Sequence, residues 1–82
     1  MAAFNGTCLI GNVGINSDDG RVHFTLKSVD GTSFDWNWFL AKKEHNREIL
    51  AIALAAMTSN RNVNIQTRDT APWTEVWWLD LV

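Results

Sequence analysis

The sequence predicts an all-β barrel with one helix, in the order β-β-β-α-β-β, as a single domain over residues 1–82. Five segments have the composition or the two-residue alternation of β-strands. One apolar helical run lies between the third and fourth of these segments. A length of 82 residues allows one core, and 46% hydrophobic content with five tryptophans is typical of a folded domain.

The first strand is predicted over residues 4–15, an apolar and β-branched segment interrupted by Gly6, Gly11 and Gly14. Glycine inside a strand usually marks a bulge, a bend or a close approach to the backbone. We therefore expect this long strand to curl. Residues 16–20, with the sequence Asn-Ser-Asp-Asp-Gly, have the composition of a loop.

Residues 21–28 and 33–38 alternate between apolar and polar side chains, which predicts two half-buried strands. The aromatic row of the second strand consists of Phe34, Trp36 and Trp38. A two-residue turn at Asp30 and Gly31 places this row outside the barrel, as a stacking surface. A three-residue loop instead pairs Phe24 with Trp36 and places the row inside. Burial of large apolar side chains favours the second register.

Residues 42–58 are predicted to form the helix, and residues 49–57 within it are all apolar. A helix that faces one core needs an apolar stripe only a little over about 100° wide. The large side chains of this run cover roughly 200° at about 100° per residue. The excess apolar surface predicts contact with further copies of the chain, in a homo-oligomer that closes as a ring. The expected interface residues are Ile49, Leu50, Ile52, Ala53, Leu54 and Met57.

Two more strands are predicted after the helix, over residues 61–67 and 75–82. The segment between them contains Pro72 and has the composition of a connecting loop. Five strands with a helix between the third and fourth have the topology of the OB-fold, a small Greek-key barrel.

The segment from Glu44 to Val82, which contains REILAIALAAMTSNRNVNIQTRD and EVWWLDLV, resembles part of the receptor-binding B subunits of bacterial A-B toxins. In that family an apolar helix, a short polar turn and an alternating Val-x-Ile strand follow one another in this order. The resemblance implies an OB-fold and a ring of five subunits, with the helices around a central pore. It also implies that residues 49–57 take part in ring assembly.

Catalysis and metal binding find no support in the sequence, which predicts a protein that is not an enzyme and has no cofactor. His23 and His45 lie in different predicted elements, and neither is near a cysteine or serine in a nucleophile pattern. No histidine or cysteine pair has zinc-site spacing. The acidic pair Asp18 and Asp19 lacks the ligand spacing of a calcium loop.

The expected location is the cytoplasm. Cys8 is the single cysteine, and a lone cysteine favours a reducing compartment and a role as a small buried hydrophobic residue. Residues 1–6 lack the features of a signal peptide. The apolar run of the helix is too short to span a membrane.

Two ligand classes fit the aromatic content. A glycan or another small polar ligand needs an aromatic face flanked by amides and no positive charge. The residues predicted for this role are Trp73, Trp78, Asn62, Asn64 and Gln66. The alternative is a single-stranded nucleic acid, whose bases stack on aromatic rings along a positive groove. Its candidate cations are Arg21, Lys27, Arg61 and Arg68, but a formal net charge of −2 disfavours it.

Overall fold

A computed structural model describes residues 3–30 and 33–82 and contains a closed five-stranded β-barrel with one α-helix. The elements are β1 (Phe4–Ile15), β2 (Val22–Ser28), β3 (Asn37–Ala41), a 3-10 turn (Lys43–His45), α1 (Asn46–Ser59), β4 (Val63–Thr67) and β5 (Thr74–Leu81). The predicted order β-β-β-α-β-β is confirmed. The architecture is compatible with an OB-like fold.

The strands are hydrogen-bonded in the order β1-β2-β3-β5-β4, and β4 returns to β1 to close the barrel. Strands β3 and β5 form the parallel pair, and the other neighbours are antiparallel. Strand β1 reaches two partners because its first half pairs with β4 and its longer remainder pairs with β2. The register with β2 shifts between Ile10 and Val13, which confirms the predicted curl and places it at Gly11.

Helix α1 covers the barrel with a narrow face of small and medium side chains. Ile49, Ala53 and Ala56 lie at helical spacing and are buried against the strands. The helix ends at Asn60, whose left-handed conformation (φ 57°) lets its N–H reach the carbonyls of Ala56 and Met57. The side of α1 that faces away from the barrel is therefore not needed for the core of this chain.

The favoured register of β2 and β3 is wrong. In the structure Phe24 lies opposite Phe39, and Thr25 lies opposite Trp38. In this pairing Trp38 points outward, as it does in the alternative register. The observed pairing differs from that register by a shift of two residues along the strand, which leaves the same side chains outside. Gly31, at the centre of the predicted turn, lies outside the described residues.

The cause of the error is the irregular segment before β3. Phe34 is buried, and its backbone exchanges hydrogen bonds with the Ser28 side chain. Trp36 then adopts a positive φ of 36° and interrupts the alternation on which the prediction depends. As a result Phe34 and Phe39 enter the core, with ring centroids 5.1 Å apart, whereas Trp36 and Trp38 lie on the outer face.

The placement of α1 predicts a difference between two alanines of the same helix. Ala53 is fully buried, so Ala53→Leu overfills the space between helix and barrel and should lower the free energy of unfolding by about 1–3 kcal/mol. Ala55 is exposed, and Ala55→Leu should change it by less than about 0.5 kcal/mol. Urea unfolding followed by circular dichroism measures both. Equal losses in the two variants would contradict the described face of α1.

Candidate ligand-binding surface

Four aromatic rings lie together on the outer face of β2 and β3 and on the loop that precedes β5. We call His23, Trp36, Trp38 and Trp73 the aromatic surface. The indoles of Trp38 and Trp73 are stacked, with centroids 5.5 Å apart and planes 7° from parallel. The His23 ring meets both indoles edge to face, at 5.2 Å from Trp38 and 6.4 Å from Trp73.

Hydrogen bonds hold the loop that carries Trp73 against β3. The Trp73 N–H donates to the Trp38 carbonyl at 2.7 Å, and Trp73 has a positive φ of 69°. The Asn37 side-chain amide donates to the Thr70 carbonyl at 2.9 Å. Within the loop, the Asp69 carboxylate accepts the N–H of Thr70 at 2.7 Å. These bonds hold the loop backbone at Trp73 next to β3, where its ring stacks on Trp38.

Two glycines of β1 make room for the rings. A Cβ atom at Gly11 would lie 2.7 Å from Cζ3 of Trp36, and one at Gly14 would lie 2.9 Å from Nε2 of His23. A close approach was one of the three alternatives, beside a bulge and a bend, that the sequence left open for these glycines. The groups that approach are aromatic side chains of the candidate site.

A cleft of about 440 Å³ opens beside the indoles of Trp36 and Trp38. Gly11, Asn12 and Thr25 complete its lining. The Asn12 N–H donates to the hydroxyl oxygen of Thr25 at 2.8 Å, which fixes that side chain at the base of the cleft. The described lining residues carry no charge, so the cleft combines apolar rings with neutral polar groups.

Among the residues that the sequence predicted for ligand binding, the structure places Trp78 beside the polar row of Asn64 and Gln66 and separates Trp73 from them. Trp73 belongs to the aromatic surface. Trp78 and Gln66 lie opposite each other on β5 and β4, and Trp78 donates through Nε1 to Asp80 at 2.6 Å. The side-chain Oδ1 of Asn64 accepts a hydrogen bond from the Thr7 hydroxyl at 2.6 Å.

The fifth residue, Asn62, is half-buried, and its backbone carbonyl accepts the N–H of Val82. The sequence interpretation did not choose His23, Trp36 or Trp38. One alternative from the sequence did indicate Trp36 and Trp38. It was the two-residue turn, which places the row of aromatic residues outside the barrel.

A second cleft, of about 570 Å³, lies where β3 ends beside β5, and we call it the cationic cleft. Its lining residues are Lys42, Arg68, Thr74, Glu75 and Trp77. The Arg68 guanidinium lies 4.5 Å from the centroid of the Trp77 ring, as in a cation–π contact. The Glu75 carboxylate is ion-paired with Arg21.

The residues predicted to form an oligomer interface fall into three groups. Ile49 and Ala53 pack into the barrel, and Leu50 and Ile52 are half-buried beside them. The two exposed members of the set are Leu54 and Met57, with 46% and 40% of their surface exposed. Met57 also shares a small cleft with Leu9, which is another exposed apolar side chain.

Cys8 is buried in the core, as the sequence predicted. Burial, with a smaller contribution from the charge of Asp30, raises the pKa of the thiol to about 12. A thiol that stays protonated is a poor nucleophile.

Within residues 3–30 and 33–82, no group of three or more histidine, cysteine, aspartate or glutamate side chains is placed to hold a metal ion. No helix in the same ranges is long and apolar enough to cross a membrane.

Comparison with protein-family models, with curated proteins and with solved structures finds no match to this chain. The resemblance to toxin B subunits is therefore a resemblance of pattern, and the argument for function depends on the geometry of the surface.

Proposed function

We propose that this chain is a non-enzymatic binding module whose aromatic surface binds a glycan. The observation that supports the proposal is the cleft in which two indoles stand beside neutral polar groups of Asn12 and Thr25. The C–H face of a sugar ring packs on an indole, and its hydroxyls exchange hydrogen bonds with amides and hydroxyls. In OB-folds this face, together with the loop before the last strand, is a usual place for oligosaccharides and oligonucleotides.

The positions of the cations favour a glycan over a single-stranded nucleic acid. Nucleic-acid binding requires positive charge along the stacking surface. Lys27 follows the cleft residue Thr25 by two positions on β2. Its Nζ lies 3.6 Å from a carboxylate oxygen of Asp35, with which it forms an ion pair. Arg61 donates to the backbone carbonyl of Val82, and Arg21 is paired with Glu75. None of these three cations lines the cleft of Trp36 and Trp38, and the fourth candidate, Arg68, lies in the cationic cleft instead. The positive charge is therefore confined to one end of the surface, whereas a phosphate backbone needs it along the stacked rings.

Removal of an indole from the aromatic surface should weaken glycan binding. We expect Trp36→Ala and Trp38→Ala to lower the affinity for a neutral oligosaccharide by about tenfold or more, which equals a loss of ~1.4 kcal/mol. The probes are maltopentaose, cellopentaose and chitopentaose, titrated by isothermal calorimetry.

Trp78→Ala is the matched control, because Trp78 is also an exposed tryptophan but lies on β5 and does not line the cleft. The affinity of this variant for the oligosaccharides should equal that of the unchanged protein. Salt-sensitive binding of oligothymidylate by a protein that binds none of the three sugars would contradict the proposal and favour the nucleic-acid alternative.

A second proposal is that copies of the chain assemble into a ring through α1. The exposed side chains of Leu54 and Met57, next to the exposed Leu9, support it. In a ring, each subunit contacts its neighbour through two different surface patches. The ring closes when the successive rotations between subunits add up to a full turn. The assembly would present several aromatic surfaces at once, and multivalent binding raises the overall affinity for a ligand with repeated units.

The assembly proposal predicts a discrete oligomer in native mass spectrometry at micromolar concentration. A Leu54→Glu, Met57→Glu double variant should release monomers, because it places charge on the exposed apolar side of α1. The control is Ala51→Glu at an exposed position of the same helix. An unchanged protein that is monomeric under these conditions would refute ring assembly.

A further inference from the structure

The aromatic surface and the cationic cleft lie on the same outer face of the barrel. Phe39 and Ala41 of β3 point inward, so the alternating positions Trp38, Leu40 and Lys42 point outward. The backbone distance from residue 38 to residue 42 is ~13 Å at about 3.3 Å per residue. The Lys42 N–H bonds to the carbonyl of Val76, so the ladder with β5 continues to this residue.

Leu40 is the outward residue of β3 between Trp38 of the first cleft and Lys42 of the cationic cleft. Leu40 lies opposite His23 of β2 on one side and opposite Glu75 of β5 on the other. His23 touches the stacked indoles, and Glu75 lines the cationic cleft. An oligomeric ligand can therefore contact both clefts along β3.

The cationic cleft has an excess of positive charge in a chain whose formal net charge is −2. Its single described carboxylate, Glu75, is already paired with Arg21. Among residues 3–30 and 33–82, the ion pairs involve neither Lys42 nor Arg68. Two cations thus face this cleft without a carboxylate of their own.

The position of Arg68 suits a planar anion. Its guanidinium lies over the Trp77 ring, and this contact orients the group. An arginine in this arrangement keeps N–H donors at its edge, and these donors match the two oxygens of a carboxylate. Lys42 adds a second positive charge to the same cleft.

We infer that the ligand is an acidic oligosaccharide, with neutral ring faces on Trp36 and Trp38 and a carboxylate in the cationic cleft beside Lys42 and Arg68. This inference rests on the proposed glycan-binding function and specifies its substrate class. It also explains why Lys42 and Arg68 lie together in the cationic cleft, whereas the cleft of Trp36 and Trp38 has no charged lining residue.

The experiment uses two probes with the same sugar chain, tetragalacturonic acid and its methyl ester, in which methylation neutralises the carboxylates. The unchanged protein should bind the free acid at least tenfold more tightly than the ester, in isothermal calorimetry at low salt. A Lys42→Gln, Arg68→Gln double variant should lose this preference and keep the same affinity for the ester. Circular dichroism verifies that the double variant is folded.

The control is Lys43→Gln, which removes a neighbouring exposed cation that does not line the cationic cleft. It should keep the preference for the free acid. Equal affinity for acid and ester, or binding of neutral pentaoses without binding of the acid, overturns the carboxylate assignment and leaves the glycan proposal intact. Failure to bind every oligosaccharide overturns both, and tighter binding of oligothymidylate than of the acid assigns the cleft to phosphate and overturns the inference.

Discussion

The pairing of Phe24 with Phe39 across β2 and β3 determines which aromatic side chains reach the surface. In a closed barrel each strand has one inner face, and a shift of one residue exchanges the inner and outer sets. Both phenylalanines are fully buried in this pairing. The same pairing turns Trp38 outward, the irregular segment before β3 places Trp36 beside the same cleft, and the candidate site follows from both.

The aromatic surface is prepared by residues that do not themselves offer a ring to a ligand. Gly11 and Gly14 leave space on β1 for the rings of Trp36 and His23. The Asn37 side chain ties the loop before β5 to β3 through the Thr70 carbonyl, and the Trp38 carbonyl accepts the N–H of Trp73. Such support from a neighbouring strand and a bonded loop keeps large side chains in one arrangement, and this preorganisation favours binding.

Element order, the curl of β1 and the burial of Cys8 could be predicted, because each depends on local composition and periodicity. The β2–β3 register could not, since the positive φ of Trp36 leaves no trace in the alternation. A bulge in β5 was not foreseen either, because the alternation of residues 75–82 gives no sign of the extra residue. The register with β4 shifts there, so that Trp77 and Trp78 are both exposed. The exposure of Trp73 could be predicted because this residue lies in a loop. The exposure of Trp36 and Trp38 depended instead on the choice between the two registers.

The most direct test of this account is the pattern of cross-strand nuclear Overhauser effects between β2 and β3 in the isotope-labelled protein. The account predicts contacts between the backbones of Phe24 and Phe39 and between those of Thr25 and Trp38. Contacts between Phe24 and Trp36 would place the tryptophans inside the barrel. That result would contradict the aromatic surface and every functional proposal that depends on it.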